Sequence, residues 1–597
     1  MPFLPELAEN YAQTMNTTTF LGLNRNLATQ DGEISAMRNL SSGAYPLLAP
    51  RCKRAVMQQD GGDLVLRNPQ GMMAKDQLAW VDDGTLYYGG VPVDGLNLAK
   101  EGKKQMVSMG AFLCIWPDKV WYNPVSGEYG SMEADYRTEG RTEIKLDLCR
   151  NDGSIYSTYT TASKSPTGPA NGDYWLDTSQ SPHMLNQWNE YTGQWVGVPT
   201  LYVRISGLGV GANFKQYDAV KIEGLSSSKP AIQEQLDLIN GHDMVLYQCA
   251  DDFIVVAAIL DEAVTIDAIT ANRDYRMHRR VPDCDFICES NNRLWGCRYD
   301  TSSGEVINEI YATKLGDMTN WYCYMGLSTD SYAVTVGTDG RFTGCVNMAG
   351  VPHFFKDQCV HKISGMMPSQ YNMVTTTMRG VQQGSEASML VVDEVLYYKS
   401  RTGVMAYDGS LPQSISEKLG GDMHWNAVAG SWGSRYWISM EDGLKKWHLL
   451  CYDTRYGLWH EEDDLQVLAF ANLGESLYAL CADGRILDLN GVNGKPEDIV
   501  TWSVTFGTYG YEYPEQKYLS RFNLRIKMNK GDRVRMWIQY DSDGEWHYQG
   551  EMEGKATQTF MIPVIPCRCD HCQLKLEGRG DVRIFGIARL LETGGDG

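Results

Sequence analysis

The sequence predicts an all-β protein: a β-propeller of about seven blades at roughly 45–50 residues each, with an inserted small domain and a C-terminal β-sandwich. Two observations carry this. Short hairpins repeat through 391–490, as in Val395-Leu396-Tyr397-Tyr398, Val404-Met405-Ala406-Tyr407 and the turn Asp408-Gly409. Leu477-Tyr478-Ala479-Leu480 then leads to Asp483-Gly484 and Arg485. Asp-Gly between alternating aromatic or β-branched runs signals a hairpin, because the turn needs positive φ and the flanking strands need side chains that fill a pleated surface. Composition is the second observation. The chain of 597 residues holds 60 Gly, 16 Trp and 34 Tyr, which favours turns and aromatic strands.

Taken in order, residues 1–50 are polar and turn-rich, and read as an extended N-terminal arm that can lie against a neighbouring subunit. Residues 51–149 begin the propeller, with strands such as Leu78-Ala79-Trp80-Val81 and Phe112-Leu113-Cys114-Ile115-Trp116. Residues 150–248 break the rhythm. Their Ser-, Pro- and Gly-rich run from 163 to 172 is loop chemistry, and an aromatic hairpin carries Trp175, Trp188 and Trp195. A helix is expected from Pro230 in its first turn, apolar Ile232, Leu236 and Ile239, and Gly241 past its end. This stretch reads as an inserted, aromatic-rich domain. The propeller resumes over 249–492, where Asp339-Gly340-Arg341-Phe342 echoes Asp483-Gly484-Arg485-Ile486. Residues 493–597 read as the sandwich, because Phe522-Asn523-Leu524-Arg525-Ile526 and Val534-Arg535-Met536-Trp537-Ile538 alternate strictly.

Several motifs together resemble one family. These are Phe20-Leu21-Gly22, the run Gly32-Glu33 through Met37 and Asn39-Leu40, and Arg51 beside Pro50. The blade hairpins Arg293-Leu294-Trp295-Gly296 and Ala406-Tyr407-Asp408-Gly409 belong with them, as do the Trp537, Leu574-Lys575-Leu576 and Gly586-Ile587-Ala588 strands. The chain outside the insertion resembles the tail-hub, stabilisation or nozzle-type β-propeller proteins of tailed bacteriophages. The resemblance implies a structural virion protein of the tail or neck, made in the host cytoplasm and assembled as a ring of copies. Its partners would be other tail or neck proteins, with genomic DNA only as passing cargo. The insertion resembles small aromatic hairpins of phage host-attachment proteins and compact carbohydrate-binding modules. Trp175, Trp188 and Trp195 can then stack on sugar rings of a host surface glycan, or simply form the core of a small module.

Charge and motif content narrow the chemistry. A net charge of −21 without a long basic run argues against nucleic-acid binding as the main role, and lets DNA slide past without sticking. No signal peptide is expected at the start, and no window reaches about eighteen apolar residues, so no membrane insertion is expected. The 15 cysteines lack regular spacing and read as free thiols. Cys567, Cys569, His571 and Cys572 form a weak candidate metal cluster, because the second, distant pair of a usual zinc site is missing. If one strand carried them all, Cys572 would face away from the other three. The run Glu461-Glu462-Asp463-Asp464 reads as a solvated acidic face. Phosphate loop, nucleophile elbow and His-Glu-x-x-His are not found. No cofactor is expected, and the protein is expected not to be an enzyme. The competing expectation is a propeller that binds or cleaves host glycan during attachment.

Overall fold

A computed structural model describes residues 12–593 except 60, 139–142, 268–274, 303, 511–515 and 555–556. The protein is all-β and propeller-like. Among the described residues, four-stranded antiparallel meanders occupy 69–97, 105–131, 286–335, 342–377, 390–414 and 424–463, and 467–496 supplies four strands of a five-stranded sheet. The fifth strand of that last sheet is Ala55–Val56, which pairs with both Ile486–Asp488 and Lys495–Pro496. A strand from the start of the chain therefore completes a sheet built from its far end.

First strands of consecutive sheets pack on one another. Pro69–Lys75 meets Gln105–Met109, which meets Phe286–Ser290, which meets Phe342–Met348. The turn Glu386–Ser388 meets both Phe342–Met348 and His424–Ser431. Val467–Leu473 in turn touches both His424–Ser431 and Pro69–Lys75. These strands come very close: a Cβ on Gly430 would sit 2.5 Å from the Cβ of Phe470 in the neighbouring sheet, so only glycine fits. Between the sheets lie separate apolar clusters, such as Trp295 with Phe354 and Trp437 with Leu477. Burying a large aromatic at each seam supplies a few kcal/mol per side chain.

The inserted region is wider than 150–248. An eight-stranded sheet draws strands from Ala134–Arg137 to Arg276–Arg279, and these two outermost segments pair with each other. Glu143–Cys149 belongs to the same sheet, through pairing with Tyr202–Ser206 and Val264–Asp267. In sequence, its alternation cannot be told from that of a propeller strand, and only the pairing partner distinguishes them. The expected helix forms at Pro230–Asp237 and buries Ile232 and Leu236 on this sheet's core. A smaller sheet, 160–197, packs on it.

Of the expected arm, residues 1–11 lie outside the described residues, and from residue 12 onward the segment is not an arm offered to a neighbour. Ala12–Thr17 pairs with Arg583–Thr593, and Ile34–Arg38 with Thr501–Phe506, so each adds a strand to one sheet of the C-terminal sandwich. The residues between are turn-rich because the chain crosses from one sheet to the other. Phe20, Leu23 and Ile34 share a continuous buried core with Trp459 and Ile438 of the 424–463 sheet and with Phe522 and Leu524 of the sandwich.

The acidic run of the 424–463 sheet is not a solvated face either. Glu462 is buried, accepts from Trp437 Nε1 at 2.8 Å and pairs with Arg54 at 2.7 Å. Arg54 reaches Asp463 at 2.6 Å with its other nitrogen. Glu461 pairs with Arg25 at 2.6 Å and with His448 Nδ1 at 2.7 Å. Only the Asp464 pair with Arg38 is exposed. The run was misread because its cationic partners lie about 400 residues away in the N-terminal segment.

Arg54→Met should cost about 3–5 kcal/mol in denaturant unfolding, because it leaves buried Glu462 with only the longer ion pair to Arg51 at 4.0 Å and removes the cation at Asp463; a loss below about 1 kcal/mol would show that the clamp is not structural. Three histidines set an acid limit. Burial pushes His361, His424 and His460 down from 6.5 to about 4. The unfolded chain takes up their protons below 6.5, whereas the fold resists until about 4. Their contribution is therefore complete above 6.5 and lost as pH falls through that window. Unfolding at about pH 5 should bind roughly three protons at these sites. A melting temperature that stays flat from pH 7 to pH 5 would contradict this.

Candidate functional site

The 160–197 sheet has two unlike faces. Tyr174, Leu176 and Leu185 point inward and pack with Leu148 of the larger sheet and with Tyr156 in the segment that follows it. With the period of two along each strand, Trp175, Trp188 and Trp195 fall on the opposite, outer face. Trp188 and Trp195 are direct cross-strand partners. The three indoles pack edge to face, Trp195 lying 5.5 Å from Trp175 and 5.3 Å from Trp188 between ring centroids. Trp175 is only 9% exposed, and its Nε1 donates to Ala162 O at 2.9 Å. Trp188 and Trp195 are half-buried.

The three tryptophans thus divide. Trp175 is the core of the outer face, and Trp195 bridges it to Trp188. Trp188 alone of the three lines an open groove of ≈ 770 Å³, together with Asn171, Gln187, Asn189, Glu190 and Tyr191. The 170–173 turn forms a wall of the groove: Gly172 N donates to Trp188 O at 3.0 Å, and Trp188 N donates to Asp173 O at 2.8 Å. Asn171 Oδ1 accepts from Glu190 N at 3.1 Å, and Asn189 Oδ1 accepts from Thr192 N at 3.1 Å. Both side-chain oxygens are thereby engaged, and among the described residues neither Nδ2 has a hydrogen-bond partner. Tyr191, at the hairpin tip, is 99% exposed. The sequence reading missed Asn171, Asn189 and Tyr191. Their signal was the turn Asn189-Glu190-Tyr191-Thr192-Gly193, where an apolar ring stands among amides at a loop tip. An aromatic face flanked by fixed amides and a carboxylate can stack on the C–H face of a ring while hydrogen-bonding its hydroxyls.

A second cavity of ≈ 460 Å³ lies where the first strands converge, lined by Met72, Met106, Met389 and Phe470 with Asp285 and Glu386. Burial raises the Asp285 carboxyl, which accepts from Tyr299 N at 2.7 Å. This space, lined by polar and apolar groups alike, is too small for a nucleic-acid duplex, whose major groove alone is about 12 Å wide.

In the Cys567–Cys572 cluster a turn intervenes, and the thiols of Cys569 and Cys572 interact across it. A turn at Asp570 and His571 separates Cys569, the last residue of one sandwich strand, from Cys572, the first of the next. Both of these thiols are buried in the shared core, while Cys567 lies at its edge. His571 is tied by Nδ1 to Asp570 at 3.1 Å and by Nε2 to Ser542 Oγ at 2.7 Å. Among the described residues no group of three or more His, Cys, Asp or Glu is arranged to hold a metal ion.

No family model matches the chain, and no curated protein matches it. Similar solved structures include an exo-β-1,3-galactanase from Phanerochaete chrysosporium with galactose, at 10% identity and a TM-score of 0.21, covering 51% of this chain and 94% of that one. The extracellular domain of a hybrid two-component system from B. thetaiotaomicron is 9% identical over 92% of this chain and 98% of its own, with a TM-score of 0.18. Trypanosoma rangeli sialidase is 8% identical over 91% and 95%, with a TM-score of 0.21. Glycoside hydrolases and a sialidase stand among these structures, so the expectation that the protein is not an enzyme is not kept. At such scores no residue of theirs is matched to a residue here.

The unequal burial of the tryptophans is testable. Trp175→Ala should cost about 3–5 kcal/mol within this sheet and speed hydrogen exchange of its amides. Trp188→Ala should leave that exchange nearly unchanged. Equal effects would show that all three rings are one structural core.

Proposed function

We propose that the protein is a host-attachment subunit of a tailed-phage particle, built as a rigid propeller–sandwich frame that presents a glycan-binding groove on its inserted domain. The observation that carries this is the open groove whose lining includes Trp188 and the exposed Tyr191 with Asn171, Gln187, Asn189 and Glu190. The glycan reading rests on this surface, and the virion setting on the resemblance in the blade, leader and sandwich motifs. In this reading the seven sheets are blades of one ring, closed by the Ala55–Val56 strand in the last blade. Copies then assemble around the tail axis with other tail or neck proteins. DNA passes between copies, since the ≈ 460 Å³ cavity within one subunit cannot admit it.

Binding of the full-length chain to arrayed bacterial surface glycans should fall at least about tenfold, ~1.4 kcal/mol, in Trp188→Ala, with melting unchanged. Failure to bind any glycan, or equal binding by Trp188→Ala, would sink the groove. Hydrolysis of a bound glycan that persists in Trp188→Ala would place a reaction centre elsewhere on the frame. Absence of the protein from purified particles would remove the virion setting while leaving the groove intact.

A further inference from the structure

Away from the inserted domain, a cavity of ≈ 320 Å³ opens beside the turn that joins Val395–Ser400 to Gly403–Tyr407. The loop 414–424, which leads into the next sheet, forms its other side. Two polar groups at its base are buried in an unusual way. Lys399 is 2% exposed. Its Nζ donates to Gln382 Oε1 at 2.9 Å and to Ser400 O at 2.5 Å, both neutral acceptors. Among the described residues no carboxylate pairs with it. A buried ammonium without an anion is costly, and burial accordingly pulls this amine down to about 8. One of its three N–H donors is left over. His424 is 5% exposed, and its Nε2 is buried without a hydrogen-bond partner. Its ring is held edge-on against His448, with centroids 5.8 Å apart.

The rim is mixed. Glu417 and Asp422 are exposed there beside the exposed Arg401, which reaches Asp357 at 3.5 Å outside the cavity. A buried lysine with a spare donor and a buried, unpartnered imidazole are what a bound oxyanion would satisfy. The carboxylates at the mouth favour hydroxyl or ammonium donors at the ligand's other end. The volume lies at the small end of ligand sites, about 300–1,000 Å³.

From this arrangement we propose that the cavity binds a small carboxylate bearing hydroxyl or ammonium groups, its carboxylate seated on Lys399 and His424 and its donors facing Glu417 and Asp422. The site is separate from the Trp188 groove and does not depend on it.

Calorimetric titration of the full-length chain tests this with three probes: glucuronate, glucose and serine. Glucuronate or serine should bind saturably, and glucose, which lacks the carboxylate, should not. The probe that binds identifies which donors the mouth prefers. Binding should drop at least tenfold in Lys399→Met and in His424→Phe, and stay unchanged in Trp188→Ala. If Lys399→Met does not fold, His424→Phe alone decides. Lack of binding by both carboxylates at 10 mM, equal binding of glucose, or wild-type binding in His424→Phe would overturn the proposal.

Discussion

The clamp of Arg54 between Glu462 and Asp463 is the interaction on which the frame depends. Two carboxylates on one strand would repel each other and pay heavily for burial, and Arg54 answers both with separate nitrogens. That pairing holds the N-terminal segment against the sheet 424–463, so that Ala55–Val56 arrives in line to complete the last sheet. Arg51 adds a second tie, to Glu497, at the point where the chain leaves that sheet for the sandwich. The approach is so close that a Cβ on Gly491 would lie 2.1 Å from Lys53 O. Upstream, Arg25 and Lys418 extend the same logic to Glu461 and Glu33. One segment thereby joins propeller-like sheets and sandwich into a single buried core.

Such a frame suits a protein that presents surfaces. Its seams are aromatic and close-packed, and its rigid parts are tied across the full length of the chain. The groove and the Lys399 cavity both open beside turns at the ends of strands, where the strands fix the backbone of the residues that line them. They differ in chemistry. The groove offers an aromatic face with amides and one carboxylate, whereas the cavity has cationic and imidazole groups at its base. Two sites of opposite preference on one frame would let it read neutral and acidic groups independently.

The hairpins were legible because Asp-Gly and Asn-Glu-Tyr-Thr-Gly turns announce themselves locally, and the helix at Pro230–Asp237 because its caps and apolar spacing are local too. The sandwich strands were legible for the same reason: Phe522, Leu524 and Ile526 are buried in strict alternation. Errors arose wherever meaning depended on a distant partner. Glu462 looked solvated because Arg54 is 408 residues away, and Glu143–Cys149 looked like propeller because its true partners come much later in the chain. Of the three tryptophans the sequence could state the type but not the division of labour, since burial depends on which ring covers which.

Local physics therefore determined, by itself, that this chain is all-β, that its strands are short and aromatic, and that an aromatic-rich insertion interrupts them. Turn residues and period-two alternation act over a few bonds and need no partner to be read. The tertiary structure alone decided that the N-terminal segment belongs to the sandwich, that the acidic run is an ion-pair clamp, and that Trp188 borders a groove while Trp175 is core. Each of these is set by which distant group fills the space beside a residue, and pairing over hundreds of residues leaves no trace in the local pattern.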